Sequence, residues 1–115
     1  MKRTYHHFGI HVTDDIPGVD WIDLGDVKVN NPAHHPQRLE WIYHKPGTYT
    51  PGVKFQPHIC YEVDDLVAAI AGKHIVTAPH EMGRFCQCAF VREDGIIVEY
   101  IQIYPGRAWF DDEVE

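Results

Sequence analysis

The sequence predicts a mostly-strand α+β domain made from two unequal copies of one strand unit. Three observations carry that prediction. The segment His7–Asp14 (HFGIHVTD) lies over His58–Asp65 (HICYEVDD) with His, Val and Asp at the same offsets. Each copy closes on a Glu-aromatic-Ile triplet, Glu40-Trp41-Ile42 and Glu99-Tyr100-Ile101. Between these landmarks, short apolar-polar runs are separated by Gly, Pro, Asn and Asp, the punctuation of strands joined by turns. The first match is offset by 51 residues (58 − 7) and the second by 59 (99 − 40), a difference ascribed to a helix that only the second copy keeps. Neither copy has strands enough to bury a sheet face alone, so the two should join in one curved sheet.

A chain of 115 residues suits one domain spanning 1–115, with a first unit at about 4–45 and a second at about 55–104. The charge of −7, from 10 basic against 17 acidic residues, argues against nucleic acid or an anionic membrane as partner. No stretch approaches the roughly 18 apolar residues of a membrane span. Met1-Lys2-Arg3 leads into a polar strand and not a signal-peptide core, so a cytoplasmic protein acting on a small molecule is expected. Three cysteines make no disulfide framework, and Cys86 and Cys88 are too closely spaced for common zinc pairings. They read as buried free thiols.

In order along the chain, Tyr5–Val12 reads as a strand stopped by the turn Asp14-Asp15-Ile16-Pro17-Gly18. Trp21–Val29 reads as one strand, or two bent at Gly25, and Asn30–Pro36 as a loop. Arg38–His44 alternates as a strand, and Lys45–Gly52 is a linker of turn residues. His58–Val63 is the next strand, followed by a helix over Leu66–Ala71, N-capped by Asp65 and stopped by Gly72. His74–Thr77 reads as a short strand and Ala78–Arg84 as an irregular loop. Phe85–Arg92 and Ile96–Tyr104 form a hairpin across Glu93-Asp94-Gly95, because Asp-Gly favours the tight turn. The end, Asp111-Asp112-Glu113-Val114-Glu115, reads as a solvated tail, with Trp109 and Phe110 before it docking on a partner subunit or on the chain's own sheet.

The repeat also carries the chemistry. Side chains alternate across a strand, so Glu99 shares a face with Ile97 and Ile101, and Glu40 shares one with Ile42 and Arg38. A carboxylate among isoleucines is costly to bury without a partner. His7 and His58 stand at matching points of matching strands. A pseudo-twofold packing of the copies would bring His7, Glu40, His58 and Glu99 to one point. Two imidazoles and two carboxylates suit one divalent ion: zinc, nickel, cobalt, manganese or ferrous iron. A single strand His or Glu is more often a core or surface residue, and it is the register across the repeat that sets these four apart. His6 should point away to the surface, His34-His35 and His80 lie in loops, and His11 is the fallback ligand.

The paired openings, HxxIxVxD in the first copy and HxxYxVxD in the second, and the closing DGIIVEYIQ resemble the vicinal oxygen chelate superfamily of glyoxalases, bleomycin-resistance proteins and extradiol dioxygenases. The resemblance covers nearly all of the second half and the two key strands of the first. It implies two βαβββ modules forming an incomplete barrel around a metal, here with the first module abbreviated and lacking its helix. The implied ligands fall on His7, Glu40, His58 and Glu99, a set similar to that of lactoylglutathione lyase. The PHICYEV strand looks like methylmalonyl-CoA epimerase-like proteins. A homodimer is the corresponding expectation.

Both of those chemistries remove a proton beside a carbonyl or thioester. The resemblance therefore implies a lyase or isomerase in which Glu99, with Glu40 as counterpart, moves the proton. Arg38 could pair with an anionic substrate group, with Arg84 and His80 as further substrate contacts. The rivals are a ferrous-iron oxygenase using His7, His58 and Glu99, a thiol-transferring fosfomycin-resistance type, and a sequestering protein of the bleomycin-resistance kind that needs no metal.

Overall fold

The computed structural model describes residues 2–12, 19–45 and 56–111. The expected turn at Asp14–Gly18, with the Asp14 of the repeat, most of the Lys45–Gly52 linker and the tail beyond Asp111 lie outside the described residues. Eight strands are formed: β1 (Thr4–Val12), β2 (Ile22–Asp23), β3 (Val27–Val29), β4 (Leu39–His44), β5 (His58–Glu62), β6 (His74–Met82), β7 (Cys86–Glu93) and β8 (Ile96–Ile103). One helix, α1 (Leu66–Ile70), joins β5 to β6. The strands make a single sheet in the order β2-β3-β4-β1-β5-β8-β7-β6. It is open and strongly curled, the α+β half-barrel expected from the sequence.

The strand order reads the same from either end once β1 is matched with β5 and β4 with β8. The registers match too. Gly9 stands opposite Glu40 in the parallel β1–β4 pair, and Cys60 opposite Glu99 in the parallel β5–β8 pair. Those rungs are related by the same offsets, 51 (60 − 9) and 59 (99 − 40), that the sequence repeat shows. At the centre β1 and β5 run antiparallel, with His7 against Cys60 and Gly9 against His58, a pairing that maps onto itself under the 51-residue shift.

Local chemistry accounts for the elements. Asp65 caps α1 by accepting from the Ala68 amide, and Gly72 follows at φ +76, a conformation glycine adopts without strain. Gly95, at φ +79, makes the β7–β8 turn after Asp94. Gly25, at φ +99, separates β2 from β3. The Asn30–Pro36 loop holds a 3-10 turn, Pro32–His34, capped by the Asn31 side chain.

The two sheet faces bury different cores. On the outer face α1 covers Ala89, Val91, Val98 and Tyr100 with Leu66, Ala69 and Ile70. On the concave face Val29, Ile42, Cys60, Cys86, Cys88 and Ile101 pack with Phe85, Trp109 and Phe110. All three cysteines are buried, and none forms a disulfide. The C-terminal aromatics thus dock on the chain's own sheet, and Asp111 is no part of a solvated tail: it accepts from the Arg107 side chain and the Ala108 amide.

Two further expectations are corrected. The Ala78–Arg84 loop is strand as far as Met82, since β6 is an edge strand, where Pro79 deprives no neighbour of a donor and register shifts absorb the irregularity. Only the turn at Gly83 and Arg84 remains of it. His6 is buried, not at the surface. Between Tyr5↔Tyr61 and His7↔Cys60, β1 advances two residues while β5 advances one, so His6 is the extra residue of a β-bulge and alternation fails there. No helix among the described residues is long and apolar enough to cross a membrane.

Candidate metal centre

The concave face of β1, β4, β5 and β8 brings His7, Glu40, His58 and Glu99 together. His7 Nε2 and His58 Nε2 each lie 3.2 Å from Glu99 Oε1, and Glu40 Oε1 lies 3.6 Å from His7 Nε2. His7 is 0% exposed and Glu99 2%. Donor atoms of His7, His58 and Glu99 all fall within 4.8 Å of one another.

The neighbours explain why these positions are held. A Cβ on Gly9 would stand 2.2 Å from His58 Cε1, so the His58 ring occupies the space that a side chain on the facing strand would take. Phe90 meets that ring edge-on at 5.5 Å. On β4, Asn30 extends the ladder where β3 has ended: its Oδ1 accepts from the Trp41 amide at 2.6 Å and its Nδ2 donates to the Leu39 carbonyl at 3.0 Å. Glu40 sits between those two residues.

Electrostatics divide the carboxylates. Burial alone would push the Glu99 carboxyl up, but the His58 and His7 rings outweigh it and hold Glu99 well below the usual range. Burial wins at Glu40, where the His7 charge only partly offsets it, and the carboxyl is pushed up. Burial works against a charge on His7, yet Glu40 and Glu99 together raise it. The Cys60 thiol beside Glu99 is pushed up by burial and by both carboxylates, so it stays protonated.

The donor set fits a divalent ion. His7 Nε2 and His58 Nε2 are buried, and neither makes a hydrogen bond of normal geometry despite standing beside Glu99. Adjacent ligands of an ion with bonds of about 2.1 Å stand about 3.0–3.4 Å apart. The two 3.2 Å separations match that spacing, and the 3.6 Å one is slightly wide.

The remaining expected residues stand around this cluster. Arg38 does not share a face with Glu40 by alternation, because it precedes β4 in the left-handed region at φ 56. Its Nε donates to the His6 carbonyl. His80 lies on β6 and not in a loop, exposed, with Nε2 3.4 Å from Cys88 Sγ. Arg84 is exposed in the β6–β7 turn. His11 pairs with His44, Nδ1 to Nε2 at 2.8 Å, and is not among the clustered donors. His34 is exposed and His35 half-buried beside the 3-10 turn, the latter's ring against Trp41. Sequence reasoning missed His6 and Trp109, whose rings lie 5.0 and 5.4 Å from that of His7. It also missed Cys60, whose place two residues after His58 on the same strand face was the available signal.

No protein-family model matches the chain, and no curated protein matches it in sequence. Among solved structures the fold is similar to that of a hypothetical protein from Bacillus halodurans, with TM-score 0.61 and 17% identity over 95% of this chain and 99% of that one. It is also similar to a triple mutant of 4-hydroxymandelate synthase from Streptomyces coelicolor, with TM-score 0.50 and 12% identity over 93% of this chain. The chain spans 50% of that second protein. At such identities the likeness is one of fold alone.

Proposed function

We propose that the protein is a metal-dependent lyase or isomerase that moves a proton on a carbon next to a carbonyl or thioester of a small metabolite. The observation that supports this most is the enclosed quartet on two equivalent rungs of the sheet, with both imidazole Nε2 atoms 3.2 Å from one Glu99 oxygen. His7, His58 and Glu99 would hold the ion. When bound, a divalent ion polarises a substrate oxygen and stabilises the negative charge that develops there.

Every other step falls to the chain. Glu99, drawn down by two imidazoles, is a poor proton acceptor and a good anchor. Glu40, farther out and pushed up by burial, is the better carrier of the substrate proton, which reverses the order of the two glutamates expected from sequence. It would take the proton from carbon and return it to the product. The apolar surround of Ile42, Ile101 and Phe90 keeps water from competing. A homodimer remains the proposed assembly.

A second reading, a ferrous-iron oxygenase, rests on the same three groups: within the quartet, His7, His58 and Glu99 fall in one tight group, a two-His-one-carboxylate set with Glu40 outside it. The similarity in fold to a 4-hydroxymandelate synthase accords with an enzyme of this kind.

Metal analysis of the purified protein should find one divalent ion per chain, and Glu99→Ala should lose it. Glu40→Gln should keep the ion while abolishing exchange of a substrate α-proton with deuterated water. Oxygen uptake with ferrous iron that survives Glu40→Gln would replace the first reading by the second, and a wild type with no metal affinity would reject both.

A further inference from the structure

We propose that His6 is a positioning residue for His7: it accepts a hydrogen bond from His7 Nδ1 and so turns the Nε2 lone pair of His7 toward Glu99 and Glu40. This inference rests on the metal reading above and deepens it.

The two Nδ1 atoms are 2.7 Å apart, and both rings are buried. At that separation one nitrogen carries a proton and the other offers a lone pair. His7 Nε2 faces the carboxylates, 3.2 Å from Glu99 and 3.6 Å from Glu40. An imidazole that ligates through Nε2 keeps its proton on Nδ1. His7 is therefore the donor, and His6 is a neutral acceptor. Such a partner usually orients a ligand ring and raises its basicity.

Adjacent strand residues do not ordinarily meet in this way, because alternation sends them to opposite faces. The bulge at His6 removes the alternation, and three contacts hold it there. The Arg38 guanidinium donates to the His6 carbonyl. The Trp109 ring meets the His6 ring at 4.7 Å and the His7 ring at 5.4 Å. The His6 and His7 rings stand edge-to-face at 73°. His58 has no such helper: its Nδ1 makes no hydrogen bond to the described residues, and its ring is fixed by Gly9 and Phe90. The two imidazoles of the centre are thus oriented by different means.

Histidine-labelled metal-free protein tests the hydrogen bond directly. Imidazole nitrogen shifts should show His7 protonated at Nδ1 and His6 neutral with an unprotonated Nδ1; a bare His7 Nδ1 would overturn the assignment, whether or not any variant folds. Cobalt affinity, measured by chelator competition, tests the consequence. His6→Phe should lower it about 10–100-fold, whereas His6→Gln, whose side-chain carbonyl can accept the bond, should stay close to wild type. Equal affinity in wild type and a folded His6→Phe overturns the positioning role. So does a cobalt–thiolate absorption band, which would place the ion on His6, His7 and Cys60 instead. A wild type that binds no cobalt while His7 keeps its Nδ1 proton rejects the metal reading and leaves the His6–His7 bond standing.

Discussion

Glu40 and Glu99 occupy the same rung of two parallel ladders, opposite Gly9 and Cys60 respectively, yet their surroundings diverge. Beside Glu99, β7 runs on without a break and sets Phe90 across from it. Beside Glu40, β3 has already ended, and one asparagine side chain carries the ladder. The outer face differs likewise. Helix α1 seals the second half, whereas Phe8, Ile10, Leu39, Trp41 and Tyr43 on the first are only half-buried. Equivalent backbone geometry therefore delivers two imidazoles and two carboxylates to one point, and the spacing within the group sets the carboxylates apart. Glu99, with both imidazoles at 3.2 Å, is held low against its burial. Glu40, with His7 at 3.6 Å, is pushed up by burial that the His7 charge only partly offsets.

If α1 makes the second half the rigid one, stripping its anchor should have the largest effect. Leu66 is 0% exposed beneath the helix, and Leu66→Ala should cost about 2–5 kcal/mol in urea unfolding. On the same helix Val67 is 70% exposed, and Val67→Ala should stay within about 0.5 kcal/mol. Similar losses for the two would mean that the helix is not what seals the outer face. A smaller loss, but one that reaches the site, is expected across the seam between the halves. Gly9→Ala puts a methyl 2.2 Å from His58 Cε1. Overpacking of this sort costs about 1–3 kcal/mol. Because the displaced atom belongs to a candidate ligand, cobalt affinity should fall with stability. A folded Gly9→Ala protein with unchanged affinity would show that His58 is no ligand.

What the sequence disclosed follows from which constraints leave a one-residue trace. A shared point in space needs the same offsets on matching strands, so His7 with His58 and Glu40 with Glu99 could be paired from a string of letters. The Asp65 cap and the Asp94-Gly95 turn were legible for the same reason, since each is decided by its own neighbours. The bulge at His6 was not, because it is set by the pairing of β1 with β5 across some fifty residues and carries no Gly or Pro to announce it. Pro79 misled in the opposite direction. It reads as a breaker, but whether a proline breaks a strand depends on whether that strand is an edge, which is a property of the finished sheet. The seat of Trp109 against the His6 and His7 rings was hidden similarly, as a tail has no period that tells which surface it will meet.

The smallest effect should come from the outer face, where the second half is again the more tightly tied. Tyr100 donates to Glu93 Oε1 at 2.7 Å, Lys73 Nζ stands 3.3 Å from the same oxygen, and Arg3 Nη1 lies 3.2 Å from Oε2. Partial burial pushes the Glu93 carboxyl up, but Tyr100, Lys73 and Arg3 together outweigh it, so it titrates below an ordinary glutamate. A carboxyl depressed in the folded state favours folding fully above its unfolded value and loses that contribution as pH falls through the folded one. Stability should therefore drop as pH falls below about 4.5, and Glu93→Gln should flatten part of that slope. The Glu93 side chain is 20% exposed and that of Arg3 40%, so water screens the network and the difference should be under about 1 kcal/mol. The ion pair Lys45–Asp23 in the first half is more open, with Asp23 59% exposed, and Asp23→Asn should flatten the slope less. Equal flattening by the two substitutions, read from urea midpoints across acid pH, would erase the contrast between the halves on this face and confine it to the rungs that hold Glu40 and Glu99.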